Sequence, residues 1–377
     1  MRTIVIAPDK FKGSLTAKQV CESVEKALNL IDSDLSIISI PLADGGEGTA
    51  DILTEYSHGS FINVTVLNPL LNAIPSQYGV SQDGKTAFIE MAKASGLLLL
   101  DPVDRNPLLT STFGTGQLIR HAMENGVNHI VLGIGGSATN DAGMGLADAL
   151  GFSFLSSSGE RLKPIGENLI HITGIDHQLV HPLISQTRFT VLCDVDNTLH
   201  GKNGAAYVFA PQKGASPSDV VRLDEGLKNF ENVVASILNT TVDFEGAGAA
   251  GGLGAGARVF LKATMINGFD FISRFTHLAE SIQRADLIIT GEGKIDQQTL
   301  SGKVVKGVAD LAAKYQKPCV AFAGKCDLPA ELASALRIIK IVTLVNENTS
   351  DTESVADAFS ILQNRAFTHL GSLISSL

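Results

Sequence analysis

The chain is poor in cysteine, in basic charge and in long apolar runs, and each scarcity excludes a class of protein. Its 377 residues include four cysteines and no C-x-x-C pair, which excludes a disulfide framework and favours a reducing, cytoplasmic location. Acidic residues outnumber basic ones by 39 to 29, so no positive field gathers nucleic acid or an anionic membrane. No apolar stretch approaches the roughly 20 residues of a membrane span. We therefore expect neither a nucleic-acid nor a membrane partner.

The composition is that of a folded protein of two domains. Apolar residues make up 44% and charged residues 18% of the chain, which excludes disorder. Both ends of the sequence alternate apolar strands with amphipathic helices, a pattern typical of a parallel sheet covered on both faces. Near the N-terminus the predicted strands are 3–7, 35–40 and 61–67, with a helix opened by a capping box of Thr16 and Gln19. Near the C-terminus we predict strands 286–290, 319–323 and 338–345, a helix over 300–315 and a closing helix.

The middle of the chain mixes hairpins with helices. Strands 78–80 and 86–89 flank a turn at Asp83 and Gly84. Further strands are predicted at 129–132 and 189–193, a helix over 117–125, and a long helix that begins at Ser216. The sequence therefore predicts an α/β fold with a discontinuous first domain (1–65 and 286–377) and an inserted mixed α/β domain (66–285).

Three local motifs suggest other chemistry. Residues 79–86 match the phosphate-binding pattern G-x-x-x-x-G-K-T, but their polar surroundings favour a hairpin. Residues 246–251 match G-x-G-x-x-G, which leaves phosphate contact and a tight turn equally open. Residues 194–198 match D-x-D-x-T, the nucleophile motif of haloacid-dehalogenase-type phosphatases. In those phosphatases the strand that carries the motif is normally the first of its domain, whereas here half the chain precedes it, which argues against this interpretation.

Charged and glycine-rich loops follow five of the predicted strands. Ligands bind at the carboxyl ends of strands in α/β proteins, so these loops predict one site. Their chemistry suits phosphoryl transfer, in which carboxylates hold Mg²⁺, lysines meet phosphate oxygens and glycines let the backbone approach. The loops comprise residues 9–14, 44–49, 137–141, 194–197 and 292–296.

Five longer segments make the interpretation specific. They are IAPDKFKGSL at 6–15, PLADGGEGT at 41–49, GGSATNDAG at 135–143, FAPQKG at 209–214 and TGEGKID at 290–296. In sequence and order they resemble the bacterial type I glycerate kinases, and the resemblance continues past Lys303. It covers essentially the whole chain.

The resemblance implies ATP-dependent phosphorylation of D-glycerate with Mg²⁺, giving 2-phosphoglycerate in glycerate, glyoxylate and sugar-acid catabolism. It further implies that the domain formed by both chain ends is Rossmann-like, with the active site in the cleft between the two domains. A kinase that forms 3-phosphoglycerate and, less favoured, an aspartyl-phosphate phosphatase built on Asp194 and Asp196 are the alternatives. The oligomeric state stays open, with a homodimer as one option.

Site roles are assigned by residue type. The catalytic candidates are Asp194, Asp196 and Lys10. The candidates for substrate binding are Lys12, Asp44, Glu47, Ser137, Asn140 and Asp141. ATP is assigned to Gly135, Gly136, Glu292 and Lys294, and Mg²⁺ to Asp194 and Asp296. Structural alternatives exist for each: solvated lysines, a helix cap at Asp141, an Asx turn at Asp194 and a salt-bridged turn at 292–296.

Overall fold

The structure is a computed structural model that describes residues 2–242, 244–301, 304–345 and 351–376. Its strands are β1 (Thr3–Ile6), β2 (Ser36–Ser39), β3 (Ser60–Leu67), β4 (Ala73–Val80), β5 (Thr86–Glu90), β6 (His129–Gly133), β7 (Ser153–Leu155), β8 (Gly174–Asp176), β9 (Arg188–Leu192), β10 (Thr264–Ile266), β11 (Leu287–Ile295), β12 (Cys319–Cys326) and β13 (Lys340–Thr343). Its α-helices are α1 (Ala17–Ile31), α2 (Thr49–Tyr56), α3 (Ala92–Ser95), α4 (Phe113–Glu124), α5 (Met144–Ala149), α6 (Ala205–Phe209), α7 (Pro217–Leu238), α8 (Ala249–Leu261), α9 (Gly268–Phe275), α10 (Leu278–Arg284), α11 (Val304–Lys314), α12 (Ala330–Ser334), α13 (Asp351–Ala356) and α14 (Ala358–Ser376). Within these ranges no helix is both long and apolar enough to cross a membrane.

The chain divides into two compact units. The first unit contains Met1–Asp44 and Phe269–Leu377, and the second contains Gly45–Gly268. These boundaries differ from the predicted ones after residues 65 and 285. Strand β3, predicted correctly as a strand, pairs antiparallel with β4 of the second unit, from Ser60 opposite Val80 to Leu67 opposite Ala73. At the other boundary α10 contacts β1 and α11, and it therefore belongs with the first unit.

The first unit is built on a five-stranded parallel sheet in the order β13-β12-β11-β1-β2. Alternate residues of β1, Ile4 and Ile6, pack with buried residues of α1 and α14 on one face. On the other face Ala321 of β12 packs with Val305 of α11. This is the parallel sheet covered on both faces that the strand-helix alternation predicts.

The second unit carries a six-stranded mixed sheet in the order β10-β9-β6-β5-β4-β3. Strands β10, β9, β6 and β5 run parallel, and β4 and β3 complete the sheet in antiparallel pairs. Residues of β5, β6 and β9 pack with α4 and α8 in one apolar cluster. The long helix α7 packs against a second cluster that includes Phe154 and Phe260. The predicted fold class, two α/β domains with one parallel and one mixed sheet, is confirmed.

The local predictions based on turn and cap chemistry are confirmed. The G-x-x-x-x-G-K-T match lies in the β4–β5 hairpin, and Gly84 has a positive φ of 71° in its turn. Both predicted helix starts form capping boxes, Thr16 with Gln19 and Ser216 with Asp219. The helix predicted over 300–315 is a 3-10 turn (Gln297–Ser301) followed by α11, while residues 302 and 303 lie outside the described ranges.

The G-x-G-x-x-G match at 246–251 has a packing explanation. Gly251 adopts a φ of +71°, and a Cβ on it would lie 2.0 Å from the carbonyl oxygen of Thr139. The Gly251 carbonyl in turn accepts a hydrogen bond of 3.0 Å from the Ala142 backbone N–H. Only glycine permits this approach of two backbones. The segment therefore supports the loop that follows β6.

Candidate active site

In the first unit the polar loops follow three adjacent parallel strands, β2, β1 and β11. Lys10, just after β1, places its Nζ 3.6 Å from Asp9 Oδ1 and 3.9 Å from Asp44 Oδ1. The Asp9 backbone N–H donates to the Gly291 carbonyl at 2.8 Å, which ties this loop to β11. Lys12 is exposed beside it. The structure therefore brings the predicted residues Lys10 and Asp44 together.

Asp9 is the buried member of this group. Burial, together with the charge of the neighbouring Asp44, raises the pKa of its carboxyl to about 6, although the Lys10 ammonium opposes the shift. A carboxyl with a pKa near neutrality exchanges protons at physiological pH, which is common at functional sites. The sequence placed Asp9 in a strand-end loop without giving it a role.

The loop at 292–296 is a hydrogen-bonded and salt-bridged turn. The Thr299 hydroxyl donates to Glu292 Oε1 at 2.6 Å. The Lys294 ammonium lies 3.0 Å from Asp327 Oδ2 and 3.5 Å from Asp296 Oδ2. Asp327 raises the pKa of Lys294, and the side chain of this lysine is 53% exposed. The salt-bridged turn that is the structural alternative for this segment is therefore present, and the exposed charges of the segment remain accessible to a ligand.

In the second unit most of the loop after β6 is buried, and Gly136 is its exposed residue. Asp141 is fully buried, and its carboxylate accepts hydrogen bonds from the Thr112 N–H (2.7 Å) and hydroxyl (2.8 Å) and from the N–H groups of Gly145 (3.1 Å) and Gly143 (3.2 Å). Burial raises the pKa of Asp141, and these four donors oppose the shift. Asn140 beside it is also fully buried. Asp141 therefore holds the loop in shape, which is its structural alternative, while its predicted contact with substrate stays a prediction.

Lys213 is a member of this buried cluster that sequence reasoning missed. It lies in the 3-10 turn Pro211–Lys213, is 2% exposed, and donates at 2.7 Å both to Ser137 Oγ and to the Thr139 carbonyl. Burial lowers the pKa of its ammonium to about 7, although the charge of Asp141 opposes the shift. The segment FAPQKG is one of the five that carry the family resemblance, but its sequence alone does not show that the lysine is buried.

A cavity of about 430 Å³ adjoins this loop within the second unit. Its wall includes Glu47, Glu90, Lys93, Leu98 and Gly136. Glu90, at the end of β5, is buried and accepts a 2.8 Å hydrogen bond from the Ala50 N–H in the first turn of α2. Burial raises its pKa. Glu90 was also missed, although its position at a strand end is the signal that found the other residues.

Glycines allow the loops of the second unit to pack closely at this edge. A Cβ on Gly135 would lie 2.7 Å from Gly46 Cα, and one on Gly133 would lie 2.6 Å from the Gly45 carbonyl oxygen. Gly136 is exposed with a φ of +76°, a conformation that other residues rarely adopt. The predicted residues Glu47, Gly135, Gly136 and Ser137 are therefore brought to one edge of this sheet.

Asp194 and Asp196 follow β9, the strand beside β6. The Gly268 backbone N–H donates to Asp194 Oδ1 at 2.5 Å, whereas Asp196 is exposed. Among the residues that the structure describes, no group of three or more histidine, cysteine or acidic side chains is arranged to hold a metal ion. Mg²⁺ in kinases needs only one or two carboxylates, because substrate phosphates and waters supply the remaining ligands. The hard carboxylate oxygens at 194 and 196 fit that requirement.

Strand-end carboxylates, lysines and glycine turns on a two-unit α/β fold suit a phosphotransferase, which works mainly by positioning and charge neutralisation. A protein-family model described as the glycerate kinase family matches residues 4–374. The chain therefore belongs to the glycerate kinase family.

Individual relatives agree over nearly the whole length. The glycerate kinase of Halalkalibacterium halodurans is 44% identical over 97% of this chain and 97% of its own. The glycerate 2-kinase of Escherichia coli K12 is 44% identical over 85% of this chain and 84% of its own. The crystal structure of the "putative glycerate kinase 2" of Salmonella typhimurium LT2 superposes with a TM-score of 0.86 at 39% identity, covering 100% of this chain and 98% of that one.

Proposed function

We propose that this protein transfers the terminal phosphoryl group of ATP to D-glycerate and forms 2-phosphoglycerate. Membership of the glycerate kinase family carries this proposal, since the family match spans residues 4–374. The choice of the C2 hydroxyl is supported by the 44% identity to the glycerate 2-kinase of Escherichia coli.

The second unit supplies a carboxylate and a neutral donor for this reaction. Asp194 is our candidate for the base that accepts the proton of the attacking hydroxyl, a role worth about 10²–10⁴ in rate. Its Oδ1 is fixed by the Gly268 N–H, which orients the carboxylate. Ser137 lies next to the exposed Gly136 and is our candidate for contact with an anionic oxygen.

The first unit supplies accessible cations. The Lys10 side chain is 21% exposed, and its ammonium lies 3.6 Å from Asp9 and 3.9 Å from Asp44, so its charge is partly accessible to an incoming carboxylate or phosphate. Lys12 and Lys294 are more exposed and are assigned to the same anions. Phosphoryl transfer needs mainly such positioning and charge neutralisation.

As the alternative to its role as the base, Asp194 is our candidate ligand for Mg²⁺, and Asp296 is the other candidate ligand. When bound, the ion would neutralise charge on the phosphate oxygens. Asp196 is exposed and lies two residues from Asp194, so both side chains lie in one loop.

Release of ADP tests the proposal directly. The purified protein is incubated with ATP and Mg²⁺, and ADP is followed with D-glycerate, with glycerol, which lacks the carboxylate, and without an acceptor. We expect ADP formation only with D-glycerate, and a loss of at least about 100-fold in kcat for Asp194→Asn, which retains the oxygen that Gly268 contacts. Release of phosphate from phosphoesters in the absence of any nucleotide would instead support the D-x-D-x-T phosphatase.

A further inference from the structure

Lys213 is a buried cation whose ammonium contacts a neutral hydroxyl instead of a carboxylate. Its Nζ lies 2.7 Å from Ser137 Oγ and 2.7 Å from the Thr139 carbonyl oxygen. The nearby Asp141 carboxylate takes its hydrogen bonds from Thr112, Gly143 and Gly145. Burying an ammonium costs several kcal/mol unless it is compensated. A lysine in this position therefore calls for a function.

The contact with Lys213 determines which way the Ser137 hydroxyl points. A protonated lysine is only a donor, so Ser137 Oγ must accept from it. The hydroxyl hydrogen then points away from Lys213 and is available to another acceptor. Because the positive charge withdraws electron density from Oγ, that outward bond is charge-assisted.

Ser137 is also the more accessible member of the pair. It keeps 8% of its surface exposed against 2% for Lys213. It follows Gly136, which is exposed and forms part of the wall of the 430 Å³ cavity. The Ser137–Lys213 pair thus begins directly after Gly136, a residue of the wall of a ligand-sized space.

On the basis of the proposed function, we propose that Ser137 donates a hydrogen bond to an anionic oxygen of the substrates and that Lys213 is the positioning residue that fixes this donor. The anion is the carboxylate of the hydroxy acid or a phosphate of the nucleotide. A second consequence is pH dependence. When the ammonium loses its proton, its nitrogen gains a lone pair that can accept from the Ser137 hydroxyl, and the charge that fixes the outward donor is lost.

The groups that face Lys213 are Ser137 and Thr139 from the loop after β6, and Asp141, whose charge favours the ammonium. On the other side the Arg105 backbone carbonyl packs against Gly214. Burial places the pKa of Lys213 at about 7, so affinity for the anion should fall as pH rises from 6 to 8.5.

A double-mutant cycle tests the inference. Lys213→Met, Ser137→Ala and the double variant are compared with Lys228→Met, an exposed lysine on α7, as the matched control. We expect each single variant to raise one KM at least tenfold with a smaller change in kcat, and the double variant to be no worse than Ser137→Ala. If the KM for D-glycerate rises, the anion bound by Ser137 is the carboxylate. If the KM for ATP rises, it is a phosphate.

The pH profile gives an independent readout that a structural lysine would not move. The affected KM of the wild type should rise between pH 6 and 8.5, and both single variants should give flat profiles. If Lys213→Met does not fold, the pH profile of Ser137→Ala is sufficient for this test, because that variant removes the hydroxyl and retains the lysine. Multiplicative effects in the double variant, or an unchanged KM for both substrates in Ser137→Ala, would overturn the inference.

The two proposals fail in different ways. In one outcome the wild type forms ADP in the presence of D-glycerate while the Ser137 and Lys213 variants behave like Lys228→Met. That result overturns the inference and leaves the proposed function in place. A wild type without such ADP overturns the proposed function. In that case the same proteins are titrated with ADP and with inorganic phosphate in a calorimeter. Weaker binding by Ser137→Ala than by the wild type supports the inference. Equal binding by the two proteins, or no binding by either, contradicts it.

Discussion

Both units place their polar groups after the ends of parallel strands, yet the two sets differ in environment. In the first unit Lys10, Asp44 and Lys294 have side chains 21%, 24% and 53% exposed, and their ion pairs span 3.0–3.9 Å. In the second unit Asp141 and Lys213 are at most 2% exposed, and their hydrogen bonds span 2.7–3.2 Å. Exposed pairs contribute little to stability, whereas buried polar networks are costly to break.

This difference separates two tasks. The groups of the first unit hold charge where a ligand can reach it. Those of the second unit hold a loop in one shape, at the cost of burying charge. We therefore expect substitution of Asp141, which holds this loop, to reduce stability, and substitutions of the exposed groups of the first unit to alter activity while leaving the fold intact.

The largest stability effect is expected at Asp141. Replacing it with alanine leaves the buried N–H groups of Thr112, Gly143 and Gly145 and the Thr112 hydroxyl without their acceptor. We expect the free energy of unfolding to fall by about 3–5 kcal/mol, measured by urea denaturation. Asp296→Ala in the first unit, at a partly exposed turn, is the matched control and should cost less than about 1 kcal/mol. Equal losses in the two variants would contradict the contrast between the units.

Asp9 is the exception within the first unit, since it is buried, and it should show a pH effect. Its folded pKa of about 6 lies above its unfolded value near 3.8, so the protonated carboxyl is favoured by folding. Its contribution is fully present below pH 3.8 and is lost as pH rises through 6, a change of about 3 kcal/mol.

Urea unfolding between pH 4 and 8 measures this change. Asp9→Asn should lose less stability over that interval than the wild type does. Asp34→Asn, at an exposed position, should retain the wild-type profile. A profile of Asp9→Asn that matches the wild type would show that Asp9 titrates alike in the folded and unfolded chain.

The smallest stability effect is expected at Lys294. The side chains of its partners Asp296 and Asp327 are 30% and 40% exposed, so Lys294→Met should leave the melting temperature within about 1 °C of the wild type. Because we assign this lysine to the nucleotide, the KM for ATP should rise. A lower melting temperature with an unchanged KM would show that the lysine is structural, and would weaken the contrast.

The sequence predicted the fold class because apolar periodicity and cap residues are local signals. Thr16, Ser216 and the turn at Gly84 acted as expected. Strand β3 has the pattern of a strand whichever sheet it joins, so its local sequence does not show which of the two compact units contains it. Its pairing with β4 is decided by contacts that the local pattern does not contain.

The strand-end rule also selected the candidate site residues, whose roles stay predictions. It found the loops that contain Lys10, Ser137 and Asp194, but it could not separate exposed groups from buried ones. Lys213 was overlooked because its importance depends on burial and on contacts 74 and 76 residues away in the chain. Such a partner is visible only once the chain is folded.

Phosphorus NMR of the reaction with ATP, Mg²⁺ and D-glycerate tests the central claim most directly. The account predicts that the γ-phosphate signal is replaced by the resonances of ADP and 2-phosphoglycerate. A product identified as 3-phosphoglycerate would keep the kinase and overturn the proposed carbon. A spectrum in which ATP persists unchanged in the presence of D-glycerate would contradict the account.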